Sequence, residues 1–102
     1  MPTENVIEAG DRDSFEAVTI FREQYADMKW FTADVKRFDG LTLNGVTADG
    51  KKAVRVHFTN CVCGYAGNGP IATMQILVAA GFGEEDQIWS DVSSVRNCAY
   101  AK

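Results

Sequence analysis

The 102 residues read as one α+β domain, an antiparallel sheet from the N-terminal and central chain with two C-terminal helices packed on it. Three observations predict this. From Trp30 to Asn60 apolar and polar residues alternate between Gly-containing turn pairs, which is the pattern of short strands. From Pro70 to Ala99 the apolar residues recur at helical spacing instead. No low-complexity run interrupts the chain, and 46% hydrophobic against 24% charged residues is an ordinary globular composition.

Met1 to Gly10 reads as a loose arm or a short edge strand. Asp13 followed by Glu16 reads as a capping box. Phe15, Val18, Phe21, Tyr25 and Met28 then recur at near-helical spacing and predict a helix over Ser14 to Met28. The same stretch is rich in Val, Thr, Ile, Phe and Tyr, so a strand pair is the alternative. Trp30 to Phe38 predicts a half-buried strand, with Phe31, Ala33 and Val35 on one side and Thr32, Asp34 and Lys36 on the other. Asp39-Gly40, Asn44-Gly45 and Asp49-Gly50 predict tight turns. Ala53 to Asn60 is the clearest strand, with Val54, Val56 and Phe58 on its apolar face and Arg55, His57 and Thr59 opposite. Cys61 to Pro70 is a glycine-rich loop, and Pro70 suits the first turn of the helix that follows. Ile71, Met74, Leu77 and Val78 predict that helix's buried stripe, and Gly81 its stop. A second helix is predicted from about Glu84, with Glu84, Glu85 and Asp86 at its positive end and Ile88, Trp89, Val92, Val95 and Ala99 along its apolar face.

A formal net charge of −4 argues against general nucleic-acid binding, which needs cations to replace phosphate counterions. No stretch reaches the ~20 apolar residues of a membrane span, and the first residues lack the basic start and apolar run of a signal peptide. Three cysteines suit a reducing compartment better than a disulfide framework. A cytoplasmic protein without membrane contact is therefore expected.

The strongest chemical signal is the order strand, Gly loop, helix between Val54 and Ala80. Backbone N–H groups of such a loop and of a helix N-terminus converge on anions. Gly64, Gly67 and Gly69 permit close approach of the backbone, Asn68 and Thr73 offer side-chain donors, Arg55 or Arg96 supplies positive charge, and Tyr65 can stack on a flat group. These eight residues are the candidate ligand site. The spacing GxxGxG is neither the dinucleotide fingerprint nor a P-loop, so a purely geometric connector is the competing reading.

Cys61, Cys63, Cys98 and His57 include the donor types of a zinc site, and on a continued strand His57, Cys61 and Cys63 share a face. The Cys-x-Cys spacing is poor for zinc, so no metal or other cofactor is expected. A Cys–His nucleophile pair lacks an orienting third group, and the carboxylates form no paired arrangement, so no catalysis is expected.

The run CGYAGNGPIATMQIL, with a sheet followed by helices, resembles the anti-Thoeris sponges, small phage proteins that sequester nucleotide immune signals. The resemblance implies a cytosolic homo-oligomer without enzymatic activity, holding a cyclic ADP-ribose-type or cyclic nucleotide ligand between subunits. It transfers no binding residue. The competing class is an acidic inhibitor of another protein, of the toxin-immunity, anti-restriction or anti-CRISPR type, which needs a broad acidic or apolar face rather than a pocket.

Overall fold

The computed structural model describes residues 5–8 and 14–102. The chain runs β1 (Asn5–Glu8), α1 (Ser14–Gln24), β2 (Lys29–Lys36), β3 (Gly40–Val46), β4 (Ala53–Phe58), α2 (Asn68–Ala79), α3 (Glu85–Val92) and β5 (Asn97–Ala101). The strands form one sheet in the order β1-β4-β3-β2-β5. The four strands β4-β3-β2-β5 pair antiparallel, and β1 joins β4 in parallel at the edge. The fold class is α+β, with α2 and α3 on the sheet as expected. They are joined there by α1, which packs against α2. The edge-strand reading of the first residues holds for Asn5–Glu8, whereas the capping-box residue Asp13 lies outside the described residues.

The core lies between the helices and one sheet face. Val54, Val56 and Phe58 of β4, Leu41 and Leu43 of β3, and Ala33 and Val35 of β2 meet Phe21, Ile76, Leu77, Ile88 and Val92 from the helices in one buried cluster. Strand alternation explains why every second residue goes inward. Helix α1 buries Ala17, Val18 and Phe21 and leaves Phe15 exposed. It ends at Gln24, before Tyr25 and Met28.

Two strand expectations fail for one reason. β2 carries a bulge between Trp30 and Thr32, which turns Phe31 outward and Trp30 into the core. The Trp30 indole N–H donates to the Tyr25 carbonyl at 2.9 Å, and the ring packs near Phe21. Gly45 lies opposite, inside β3, where a Cβ would sit 2.1 Å from the Lys29 carbonyl oxygen and 2.8 Å from the Trp30 ring. Asn44-Gly45 is therefore not a turn. Its glycine gives the room that the bulge and the indole require. Asp39-Gly40 and Asp49-Gly50 do turn the chain, with φ of +92° and +76° at the glycines.

Helix α2 starts one residue after Gly67, so Pro70 stands third in a first turn whose N–H groups have no helical partner anyway. Its buried face is broader than the predicted stripe and includes Gly69, Pro70, Ala72, Thr73 and Ile76, while Val78 is exposed. Gly81, at φ +85°, ends it in a Schellman motif: the Phe82 N–H donates to the Leu77 carbonyl and the Gly81 N–H to that of Val78. Helix α3 is shorter than expected. Ser93 caps it, and its hydroxyl donates back to the Trp89 carbonyl. Val95 and Ala99 are not helical. Asn97–Ala101 instead pairs with β2, where Cys98 and Tyr100 are half-buried and their neighbours exposed.

Candidate ligand-binding face

The Gly loop packs against the core at its base and leaves Tyr65 and Asn68 exposed. Cys61 and Cys63 are fully buried. The Cys63 thiol donates to the Arg96 carbonyl at 3.0 Å, and the Gly64 N–H donates to the Val92 carbonyl at 2.8 Å. Gly64 adopts φ +96°, which L side chains rarely take. Tyr65 folds back over the loop: a Cβ at Gly67 would lie 2.7 Å from its ring, and one at Gly69 3.1 Å from its hydroxyl and 2.7 Å from Val62 Cγ2. Thr73 is fully buried, with its hydroxyl 2.9 Å from the Val62 carbonyl and 3.0 Å from that of Gly69. Asn68 is exposed at the start of α2. Gly64, Tyr65, Gly67, Asn68, Gly69 and Thr73 are thus brought together, largely by contacts with one another and with the core.

Arg55 is not among them. It projects from β4 on the sheet face away from the helices, and its Nε–H donates to Asn44 Oδ1 at 3.1 Å. Arg96 is exposed just before β5, and its carbonyl, not its guanidinium, meets the loop. The cation whose stem lies against Gly64 is Arg37, with its Cδ 3.2 Å from where a Cβ would be.

The face that carries Arg55 holds the larger polar constellation. No helix of the described residues covers it. Register stacks Asp34, Thr42 and His57 in one row, and Thr32, Asn44 and Arg55 in the next. Thr42 Oγ1 and His57 Nδ1 lie 2.8 Å apart and share a proton-mediated bond that orients the imidazole. With Lys36 beside the first row and Phe38, Asp39 and Thr59 at the rim, these side chains, Thr32 excepted, line an open depression of about 700 Å³. Lys36 and Arg55 supply fixed positive charge, Asp34 and Asp39 accept hydrogen bonds from hydroxyl or amino groups, and Phe38, 85% exposed, offers an apolar ring. Such a surface suits a ligand that combines an anionic group, hydroxyls and a flat ring. The outward members of β2 and β4 are visible in the sequence as alternation. That they adjoin depends on β3 lying between them, which alternation does not reveal.

The cysteines do not join this face. The chain turns at Thr59 and Asn60, so Cys61 and Cys63 leave the strand and enter the core, whereas His57 stays on the open side. The expected common face of His57, Cys61 and Cys63 does not exist. Burial pushes the Cys61 thiol up to about 12. Cys98 is pushed to about 12 by burial first and then by neighbouring Cys63. Beside them the Tyr100 hydroxyl donates to Asp91 Oδ2 at 2.9 Å, and burial raises its pKa. Burial keeps these thiols protonated at neutral pH, whereas a nucleophile needs the thiolate. Among the described residues no group of three or more His, Cys, Asp or Glu side chains is placed to hold a metal ion, and no helix is long and apolar enough to cross a membrane.

No protein-family model, curated protein or solved structure matches this chain.

Proposed function

We propose that this protein binds a small phosphate-bearing, nucleotide-type ligand on the open sheet face and sequesters it without chemical change, working as a cytoplasmic homo-oligomer. One observation carries the reading. Lys36, Arg55, Asn44, Thr42 and His57 converge from three strands on one depression, with Asp34 and Asp39 beside them. Lys36 and Arg55 are placed to take the phosphate, the two aspartates the sugar hydroxyls, and Phe38 the base. Of the eight residues expected to bind ligand, Arg55 is the one that lines this depression. A cyclic nucleotide or cyclic ADP-ribose-type molecule has all three parts, in keeping with a sponge for nucleotide signals.

The test is mass spectrometry of small molecules released from the native protein, followed by calorimetric titration of cyclic mono- and dinucleotides and of cyclic ADP-ribose. Binding is expected to weaken roughly ten- to a hundredfold in Arg55→Ala and in Lys36→Ala, as the loss of one charge-assisted contact implies. Unchanged affinity in both variants rejects this face as the site.

A second reading rests on a separate feature. Between α2 and α3 a cleft of about 240 Å³ has Ile71, Met74 and Trp89 as its apolar lining and Glu85 and Asp86 as its acidic part. Its size and charge suit one Arg or Lys side chain of a basic protein, as an acidic inhibitor requires. Pull-down of a basic protein that is lost on Trp89→Ala and kept on Arg55→Ala favours this reading over the first.

A further inference from the structure

The hydrogen-bond phase of β5 defines an unfilled edge. The Arg37 N–H donates to the Arg96 carbonyl at 2.9 Å and the Lys102 N–H to the Phe31 carbonyl at 3.0 Å. Both pairs continue the register Thr32↔Ala101 to Lys36↔Asn97 between β2 and β5. In an antiparallel ladder, bonded pairs alternate along the strand. Residues 96, 98, 100 and 102 therefore turn their backbone groups toward β2. Asn97, Ala99 and Ala101 turn theirs outward, away from the sheet. β5 is the last strand on that side, and among the described residues no protein group takes these outward N–H and C=O groups.

An edge left this way is a template for another extended strand unless charge, proline or a bulge guards it. Asn97–Ala101, with the sequence NCAYA, has none of these guards within it; of the flanking cations Arg96 and Lys102, which meet across a two-fold axis at Ala99, Lys102 turns its ammonium back to the Ala80 carbonyl. The strand's exposed side chains are Asn97, Ala99 and Ala101, which are small or uncharged. The edge is also complementary to itself. Around a two-fold axis at Ala99, Asn97 meets Ala101 of a second copy, Ala99 meets Ala99, and Cys98 meets Tyr100. The three outward residues then form three bonded pairs. The alternative partner edge, β1 of another copy, would be a head-to-tail contact that leaves further edges to fill and makes no two-fold dimer.

We infer that two copies of this chain pair antiparallel through β5, making one continuous ten-stranded sheet with five strands from each copy. Both open faces then lie on the same side of that sheet, so the two depressions form one surface. The inference rests on the homo-oligomer part of the proposed function and not on the ligand. Edge pairing buries less than the roughly 1,600 Å² of a standard interface, so weak association, with a dissociation constant on the order of micromolar, is expected.

The phase supplies the test. Ala99→Pro removes an outward N–H and leaves every β2–β5 bond in place, and proline is tolerated at a sheet edge facing that way. Ala99→Lys and Ala99→Asp place like charges across the two-fold axis when alone and opposite charges when mixed. Light scattering at ~100 μM, well above a micromolar dissociation constant, is expected to give twice the 11.2 kDa chain mass for the native protein. Ala99→Pro and Ala99→Lys are each expected as monomers that melt as the native protein does when diluted below its dissociation constant, Ala99→Asp, opposite Asp34, as a monomer that melts slightly lower, and an equimolar Lys–Asp mixture is expected to recover the dimer. A monomeric native protein overturns both the interface and the homo-oligomer. A native dimer that survives Ala99→Pro, or a Lys–Asp mixture that stays monomeric, overturns this interface alone. Ligand titration of the Ala99→Pro monomer reads the open face separately.

Discussion

The loop from Cys61 to Pro70 and the open face of the sheet use their sequences in opposite ways. The loop concentrates unusual residues, and the fold consumes them. Gly64 serves a left-handed backbone, Gly67 and Gly69 make room for Tyr65 and Val62, and Thr73 ties the loop to the helix. The open face contains only commonplace strand residues, yet it gathers two cations, two carboxylates, a histidine and a phenyl ring. Glycines close together in sequence mark tight backbone geometry, and tight geometry serves packing as readily as binding. A site spread over three strands has no sequence density at all. Three perturbations separate the two regions, ordered here by their expected effect on stability.

The largest acts on the loop through alkali. The Cys61 thiol has a folded pKa near 12 against an ordinary value of 9.0, because burial disfavours the thiolate. The folded state therefore holds a proton that the unfolded state gives up. This stability is fully present below pH about 9 and is lost as pH rises through about 12. Three pKa units correspond to about 4 kcal/mol for this buried group. Cys98 and Tyr100 shift in the same direction. Urea midpoints followed through this range should fall steeply in the native protein and less steeply in Cys61→Ala. A parallel fall in the two would show that Cys61 ionises as freely folded as unfolded. Ligand affinity at neutral pH should not differ between them.

A smaller effect is expected at Gly69. A Cβ there lies 2.7 Å from Val62 Cγ2, a contact that real Cβ atoms do not make, and 3.1 Å from the Asn60 carbonyl. Gly69→Ala should cost about 1–3 kcal/mol through overpacking, which in a domain of this size lowers Tm by roughly 4–8 °C per kcal/mol. Because the cost is steric and belongs to the connector, nucleotide affinity should stay within twofold of the native value. A variant that melts normally but no longer binds would return the site to the loop and break the contrast.

Much of the fold is legible in the sequence. β4 reads directly from Val54, Val56 and Phe58, since strict alternation has one explanation. The end of α2 reads from Gly81, because a positive φ at that point needs glycine. The errors share a cause, which is that tertiary pairing decides between equally good local options. Val95 and Ala99 continue the helical spacing of α3, but pairing with β2 draws Asn97–Ala101 into the sheet. Asn44-Gly45 has turn chemistry, but the Trp30 bulge needs that glycine inside β3. Phe31 alternates correctly, and one extra residue turns it outward. Of the candidate site, Arg55 is the one residue the sequence marks as a ligand contact; alternation shows beyond that only that Arg55 and His57 share the polar side of their strand, and Asp34 and Lys36 that of theirs. Their union on one surface required the strand order.

The smallest structural effect, and the sharpest functional one, is expected at Thr42. Its hydroxyl lies 2.8 Å from His57 Nδ1 on a half-buried part of the open face. Thr42→Val keeps the β-branched shape and the strand preference while deleting the oxygen. A typical hydrogen bond contributes about 0.5–1.5 kcal/mol, and its partner here can turn to water, so the low end applies. Tm should fall by only a few degrees. The imidazole, however, loses the contact that holds its plane. If His57 contacts the ligand, affinity should drop by several-fold without a matching loss of stability. His57→Ala should then be no worse when combined with Thr42→Val than alone, because the two residues act as one unit. Strictly additive losses would mean that Thr42 and His57 meet the ligand independently. No loss in either variant would leave Lys36 and Arg55, which flank this row from opposite sides, to hold the ligand without the pair.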